Sequence, residues 1–210
     1  MTIARQLSYK YGAWLWVISI QYYILQLVVA SQWSNGYSWA HNTISDLANT
    51  HCGPYGDRLV CSPLHAAMNG SFLLLGLTMI AGSVLLGKKY AVSLLTRIGF
   101  GCMVLAGIGT ILVGLFPENT VSSMHVIGAA LPFIFGNIGM ILLGLTIRAL
   151  PKVLAVVTVL SGVIALVALP FFVSGTTLGI GSGWVERIVA YPQSIWMIVF
   201  GLFILRTRDA

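Results

Sequence analysis

Six long apolar runs organise the chain, over about residues 11–31, 63–87, 91–116, 121–150, 153–174 and 184–205. Each is near or above the roughly 20 residues a helix needs to cross the hydrocarbon of a bilayer. The runs are unbroken and do not alternate apolar with polar positions, which excludes a membrane β-barrel. The pattern predicts an all-α, polytopic membrane helical bundle of about six transmembrane helices, a single membrane domain over 1–210. The first run follows Arg5 and Lys10 and ends in Val29-Ala30-Ser31, superficially like a signal peptide with its cleavage site. Its apolar stretch is too long for that and carries Trp14, Trp16, Tyr22 and Tyr23, so it reads as a retained first helix.

The connections between runs are short except for the polar stretch of about 32–62. Long connections in compact proteins are usually functional or disordered. This one holds Trp33, Tyr37, Trp39 and two cysteines, and reads as an ordered cap. Cys52 and Cys61 are expected to form a disulfide, which needs an oxidising compartment. Cys102 falls inside a helix and reads as a small core residue. Pro132, Pro170 and Pro192 are expected to kink the last three helices. Ser62-Pro63-Leu64-His65 opens the second run as Ser122-Ser123-Met124-His125 opens the fourth, a weak internal echo.

Composition sharpens the class. The chain is 58% hydrophobic and 8% charged, with mean hydropathy +0.92. A soluble domain carries about a quarter charged residues, so a water-exposed globular surface is excluded, as is a disordered chain. Nine of the eleven basic residues fall at the termini or at the second and fourth turns; only Arg58 and Arg187 lie at the other end. The positive-inside rule then predicts both termini in the cytoplasm of a prokaryotic inner membrane. The net charge of +6 follows from this bias and calls for membrane lipid head groups, not nucleic acid, as partners. Asp46, Asp57, Glu118, Glu186 and all four histidines fall at or near the outer face.

Candidate chemistry therefore gathers outside. His65, His125 and Glu186–Arg187 stand at the outer ends of three helices, below the loop segment His41-Asn42-Thr43-Ile44-Ser45-Asp46-Leu47. Two imidazoles and a carboxylate match the ligand inventory of a catalytic zinc site, so His65, His125 and Glu186 are candidate metal ligands. Ser45 and Asp46 are candidate nucleophile and general base. Arg187, His41 and Asn69 are candidate ligand-binding residues, Asn69 one turn below His65. No zinc-binding spacing such as His-x-x-x-His or His-Glu-x-x-His is present. The competing reading makes these residues helix caps and interfacial anchors, Glu118 a turn residue or a partner for Arg187, and Asn137, Gln21 and Gln26 polar contacts between helices. No charged residue falls at a helix midplane, which argues against ion conduction or proton-coupled transport.

Ile44-Ser45-Asp46-Leu47, Phe116-Pro117, His125, and Gly183 with Glu186-Arg187-Ile188 together resemble the bacterial and archaeal membrane family called domain of unknown function 998. That resemblance implies a six-helix bundle with its characteristic polar residues on one face, and no particular reaction. A fainter likeness to ceramidase-like membrane hydrolases rests on Ser, Asp and His near one face; their seven helices and His-x-x-x-His motif are missing here.

Three functions fit this reading. The leading one is a hydrolase or transferase, metal-assisted or not, acting on a lipid or lipid-linked substrate at the outer leaflet. The second is a non-catalytic binder, sensor, immunity or accessory protein that uses the aromatic loop. The third is a facilitative small-solute transporter with a polar path past Asn69 and Asn137.

Overall fold

Polar punctuation and proline decide where these helices stop. The computed structural model describes residues 3–33 and 36–207, with side chains from Ser8 onward. Arg5, Arg208 and Asp209, which entered the charge pattern, lie outside the described side chains. Helix α1 spans Ile3–Ile18 and α2 spans Gln21–Ser31; α3 covers His65–Tyr90 and α4 covers Leu94–Leu115. Helix α5 runs over Ser122–Leu131, α6 over Asn137–Thr146, α7 over Lys152–Val173 and α8 over Ser182–Arg206. Among the described residues, six helical stretches, with α1–α2 and α5–α6 each counted once, are long and apolar enough to cross a membrane. The protein is a multi-pass membrane helical bundle.

Two expected continuous helices are interrupted. The first breaks at Ser19–Ile20, where Ser19 Oγ pairs with Thr78 Oγ1 at 3.2 Å. The fourth loosens into a wider π-turn at Pro132–Gly136. Proline 132 has no N–H to give to the turn before it, so the ladder must be rerouted there. Asn137 stitches the irregular stretch to α8, its Nδ2 donating to Phe133 O at 2.9 Å and Val189 O at 3.0 Å. Pro170 and Pro192 sit inside α7 and α8.

The packing is that of a helix bundle meant for lipid. In α7 the buried residues are Thr158, Gly162, Ala165 and Ala168, while Val156, Leu160, Ile164 and Val167 are exposed. Small residues face the neighbours and large aliphatics face outward, as expected where apolar burial does not drive association. Between α4 and α5, a Cβ on Gly109 would lie 2.4 Å from Gly128 O, so only glycine permits this approach. Helix α5 is thereby held against α4. Helix α7 packs mainly on α6 and α8 and has little contact with α5, although Phe172 meets Phe133 just beyond α5 with ring centroids 5.8 Å apart.

Residues 36–64 of the long connection close one end of the bundle as an ordered cap. It contains a 3₁₀ turn, Ser45–Ala48, and a two-stranded hairpin, β1 Gly53–Tyr55 and β2 Arg58–Val60, paired antiparallel. The expected Cys52–Cys61 disulfide joins the two strands' outer ends. Cys102 is buried and unbonded, as its midhelix position predicted.

Candidate functional site

The cap is tied to the first turns of α8 by two adjacent residues with different tasks. Glu186, 3% exposed, accepts a hydrogen bond from the Ile44 backbone N–H. Arg187, 2% exposed, donates from Nη1 to the carbonyls of Gly183 (2.8 Å), Trp39 (3.1 Å) and Asn42 (3.1 Å), and from Nη2 to Tyr37 Oη. Its Nε donates to Tyr191 Oη at 3.2 Å, and its guanidinium lies 4.8 Å from the Trp39 ring centroid. The loop comes this close because Gly183 has no Cβ; one would lie 2.3 Å from Asn42 O. The arginine expected to bind an anion is thus occupied in fastening the cap. The aromatic loop residues Tyr37 and Trp39 pack around that internal cation.

Asp46 is fully buried at 0% exposure and accepts both prongs of Arg58: Nε to Oδ2 at 2.7 Å and Nη2 to Oδ1 at 2.8 Å. Asn42 Nδ2 (3.2 Å) and the Thr43 N–H (2.9 Å) complete its shell. Burial alone would raise its pKa, but the Arg58 hydrogen bonds and charge hold the carboxyl below its usual range. A candidate base in the sequence, Asp46 instead has its carboxylate taken up by Arg58, Asn42 and the Thr43 N–H, and it builds the loop. Glu118 lies under the same guanidinium, its Oε2 3.9 Å from Arg58 Nη2 and its Oε1 accepting from Asn49 Nδ2 at 3.0 Å. Burial and the neighbouring Asp46 charge push Glu118 up, to about 8. Its cationic partner is Arg58, not Arg187. Arg58 was missed as a site residue; the available signal was a lone cation between two cysteines in a loop otherwise poor in positive charge.

Within the run 42–49, Ser45 is the one residue not fully buried. Its Oγ lies 3.0 Å from His125 Nε2 and 3.4 Å from Glu186 Oε1. The other ring nitrogen, Nδ1 of His125, lies 2.9 Å from Phe116 O. A carbonyl can only accept, so that contact places the ring proton on Nδ1 and leaves the Nε2 lone pair facing the serine hydroxyl. Ser45 has a single proton, and the shorter contact directs it to His125. The turn Phe116-Pro117 and the start of α5 thereby present His125 as an oriented base to a serine on the cap.

The other expected ligands are elsewhere. His65 opens α3 with its Nδ1 buried and unpartnered, and shares no hydrogen bond with Ser45, His125 or Glu186. His41 is exposed on the cap, contributing its backbone O to Ser182 Oγ at 2.8 Å. Asn69 Nδ2 donates to Ala48 O at 2.9 Å and supports the 3₁₀ turn. Among the described residues no group of three or more His, Cys, Asp or Glu side chains is placed to hold a metal ion. The zinc set of His65, His125 and Glu186 is not brought together among the described residues.

Two spaces meet at Ser45. One is a small internal cavity of about 50 Å³ beneath it, lined by Tyr22, Phe72, Met79, Val113, Gln193 and others. The second is a groove of about 370 Å³ between α5 and α7, whose polar end holds Ser45, His125, Glu186, Arg58 and Glu118. Ser45, Glu186, Ala129 and Phe133 line both.

No curated protein matches the chain, and no solved structure matches it. The model of a family described as protein of unknown function, DUF998, matches residues 17–202, from within the first helix to near the end of the last. The chain belongs to that family, and the motifs that resembled it in the sequence are those that build the Ser45–His125 contact and the Glu186–Arg187 clamp.

Proposed function

We propose that this protein is a membrane-embedded hydrolase or acyltransferase that attacks a lipid or lipid-linked ester with Ser45 as nucleophile and His125 as general base. The supporting observation is the 3.0 Å contact from Ser45 Oγ to a His125 Nε2 whose tautomer is set by the Phe116 carbonyl. A serine hydroxyl is a weak nucleophile until an adjacent oriented base takes its proton. In the acylation step the Ser45 Oγ–carbonyl carbon bond forms and the Oγ proton passes to His125 Nε2. Collapse of the tetrahedral adduct breaks the ester C–O bond, and His125 returns that proton to the departing alkoxide. Water, or an acceptor alcohol in a transferase, then attacks the acyl-serine by the same route in reverse. Glu186 fixes the Ile44 N–H and so holds Ser45 in register with His125.

Orientation completes the reading. The basic residues cluster at the uncapped end, so the capped end faces the exterior of a prokaryotic inner membrane, with both termini inside. The disulfide in the cap fits that side. Zinc is given no step, since the three candidate ligands are not together.

The test is covalent labelling of the purified, detergent-solubilised protein with a fluorophosphonate, followed by peptide mass spectrometry. An adduct on Ser45, absent from Ser45→Ala and slowed in His125→Ala, is expected. An unlabelled Ser45, together with no acid released from a panel of short- and long-chain esters, would overturn the proposal and favour a non-catalytic binder.

A further inference from the structure

Among the described residues, spaces of about 620 Å³ and 430 Å³ open at the uncapped helix ends, with neither Ser45 nor His125 in their linings, and three others nearer the cap differ in their linings. The internal cavity of about 50 Å³ has room for about four waters at 10–15 Å³ each, and no more. A groove of about 480 Å³ between α6, α7 and α8 is almost wholly apolar. Arg187 touches it, but that guanidinium is already engaged by Gly183, Trp39, Asn42, Tyr37 and Tyr191. Of the three nearer the cap, the α5–α7 groove is the one that joins a long apolar wall to a cluster of polar groups. One end carries the Ser45–His125 pair, and the remainder is walled by Val126, Ala130, Ile134, Leu169, Phe172 and Val173.

The groove has a structural cause. The glycine contact at Gly109–Gly128 draws α5 onto α4, and the π-turn at Pro132–Gly136 lets the helix change course before α6 meets α7. The α5 half of this span therefore has little contact with α7, whereas the α6 half is packed on it. The opening lies on the flank of the bundle, among exposed aliphatics such as Val126, Ile127 and Val173, where lipid tails would surround it. Its apolar wall runs from His125 to Ile134, about 13 Å along a helix.

Resting on the serine-nucleophile reading above, we infer that the α5–α7 groove is the acyl-chain site: the substrate is an ester of a long-chain fatty acid that reaches Ser45 sideways from the membrane. The carbonyl carbon stands at Ser45 Oγ, the acyl chain lies along Ala130, Ile134 and Leu169, and the alcohol part points toward the cap. Ala130 then sets acyl-chain selectivity, because its small side chain is what leaves the groove open midway.

Two arms separate this inference from the reaction it rests on. In the first, hydrolysis of p-nitrophenyl acetate and p-nitrophenyl dodecanoate is compared in wild type, Ala130→Trp and Leu169→Ala. Filling the groove with Ala130→Trp is expected to lower dodecanoate turnover about tenfold or more while leaving acetate turnover within about threefold, the scale on which apolar pockets discriminate chain length. Leu169→Ala widens the groove and reports on it without added bulk, so a misfolded tryptophan variant does not decide the outcome. Equal effects on both esters in both variants would overturn the acyl-chain site while leaving Ser45 as nucleophile. Hydrolysis of neither ester by wild type would count against the nucleophile instead.

The second arm needs no catalysis. A diazirine-bearing fatty acyl phospholipid is photo-cross-linked to Ser45→Ala in vesicles, and adducts are mapped by mass spectrometry. Enrichment at Val126, Ala130, Leu169 or Phe172 over the α6–α8 groove is expected, with competition by excess unlabelled long-chain lipid. Equal labelling of the two grooves would mark ordinary lipid contact and overturn the inference.

Discussion

Ser45 Oγ lies 3.0 Å from His125 Nε2, although 80 residues separate the two in sequence and one belongs to the cap while the other opens a helix. The pair exists because Phe116 O holds the far side of the imidazole. Replacing His125 with Ala removes the base without touching the nucleophile. The rate of fluorophosphonate labelling at Ser45 should then fall by about 10²–10⁴-fold, the usual contribution of a positioned general base. The fold should persist, since the helix continues through this position. A His125→Ala protein that labels at the wild-type rate would show that the contact only docks the cap.

The Asp46–Arg58 pair makes a prediction about stability. Asp46 is entirely buried, and Arg58 supplies both of its strongest contacts. Removing the arginine leaves a carboxylate with no compensating charge in a dry site, which typically costs about 3–5 kcal/mol. Arg58→Ala should therefore be much less stable than Asp46→Asn/Arg58→Met, in which the charge is gone as well. Denaturant titration of the protein in mild detergent measures this. Equal stability of the two variants would mean that water reaches Asp46 freely.

Much of this architecture was legible in the sequence. Apolar length alone marks the spans, because a bilayer imposes that length on every crossing. The disulfide and the ordered cap followed from two cysteines and many aromatics in one long connection. The family motifs picked out Ser45, His125 and Glu186–Arg187. What the motifs could not convey was pairing. Three helix starts carry His65, His125 and Glu186, and only helix packing decides that His125 and Glu186 meet Ser45 while His65 does not. Arg187 and Asp46 read as available for chemistry because a sequence does not reveal how many backbone carbonyls or side chains surround a charge. Proline 132 announced a kink, but the groove it helps to open depends on the Gly109–Gly128 contact across two helices.

Glu118 and Asp46 should give the cap opposite responses to pH. The Glu118 carboxyl is raised from an ordinary 4.5 to about 8, by burial first and by the Asp46 charge next. Below 4.5 both folded and unfolded chains hold this proton. Between the two values only the folded chain does, so the stabilisation is lost as pH rises through about 8. Asp46 is lowered, so its contribution is present above an ordinary 3.8 and is lost in stronger acid. Thermal unfolding in detergent between pH 5 and 9 should show falling stability with rising pH, and Glu118→Gln should flatten that slope. An unchanged slope in the variant would assign the dependence to another group.

The disulfide should matter through Arg58. Cys52 and Cys61 are 9 residues apart and brace the hairpin whose second strand begins at Arg58. Closing so short a loop restricts the unfolded chain by an amount worth about 2–3 kcal/mol in the chain-entropy model. Because the hairpin delivers Arg58 to Asp46, and Asp46 shapes the 3₁₀ turn carrying Ser45, reduction should also loosen the nucleophile. Treatment with a phosphine reductant, or Cys52→Ser/Cys61→Ser, is expected to lower the unfolding midpoint and to slow Ser45 labelling together. Asp46→Asn/Arg58→Met, which already lacks the ionic link, should lose stability on reduction but show little further loss of labelling. If reduction slows labelling equally in that variant and in wild type, the hairpin reaches Ser45 by a route other than the Arg58–Asp46 contact.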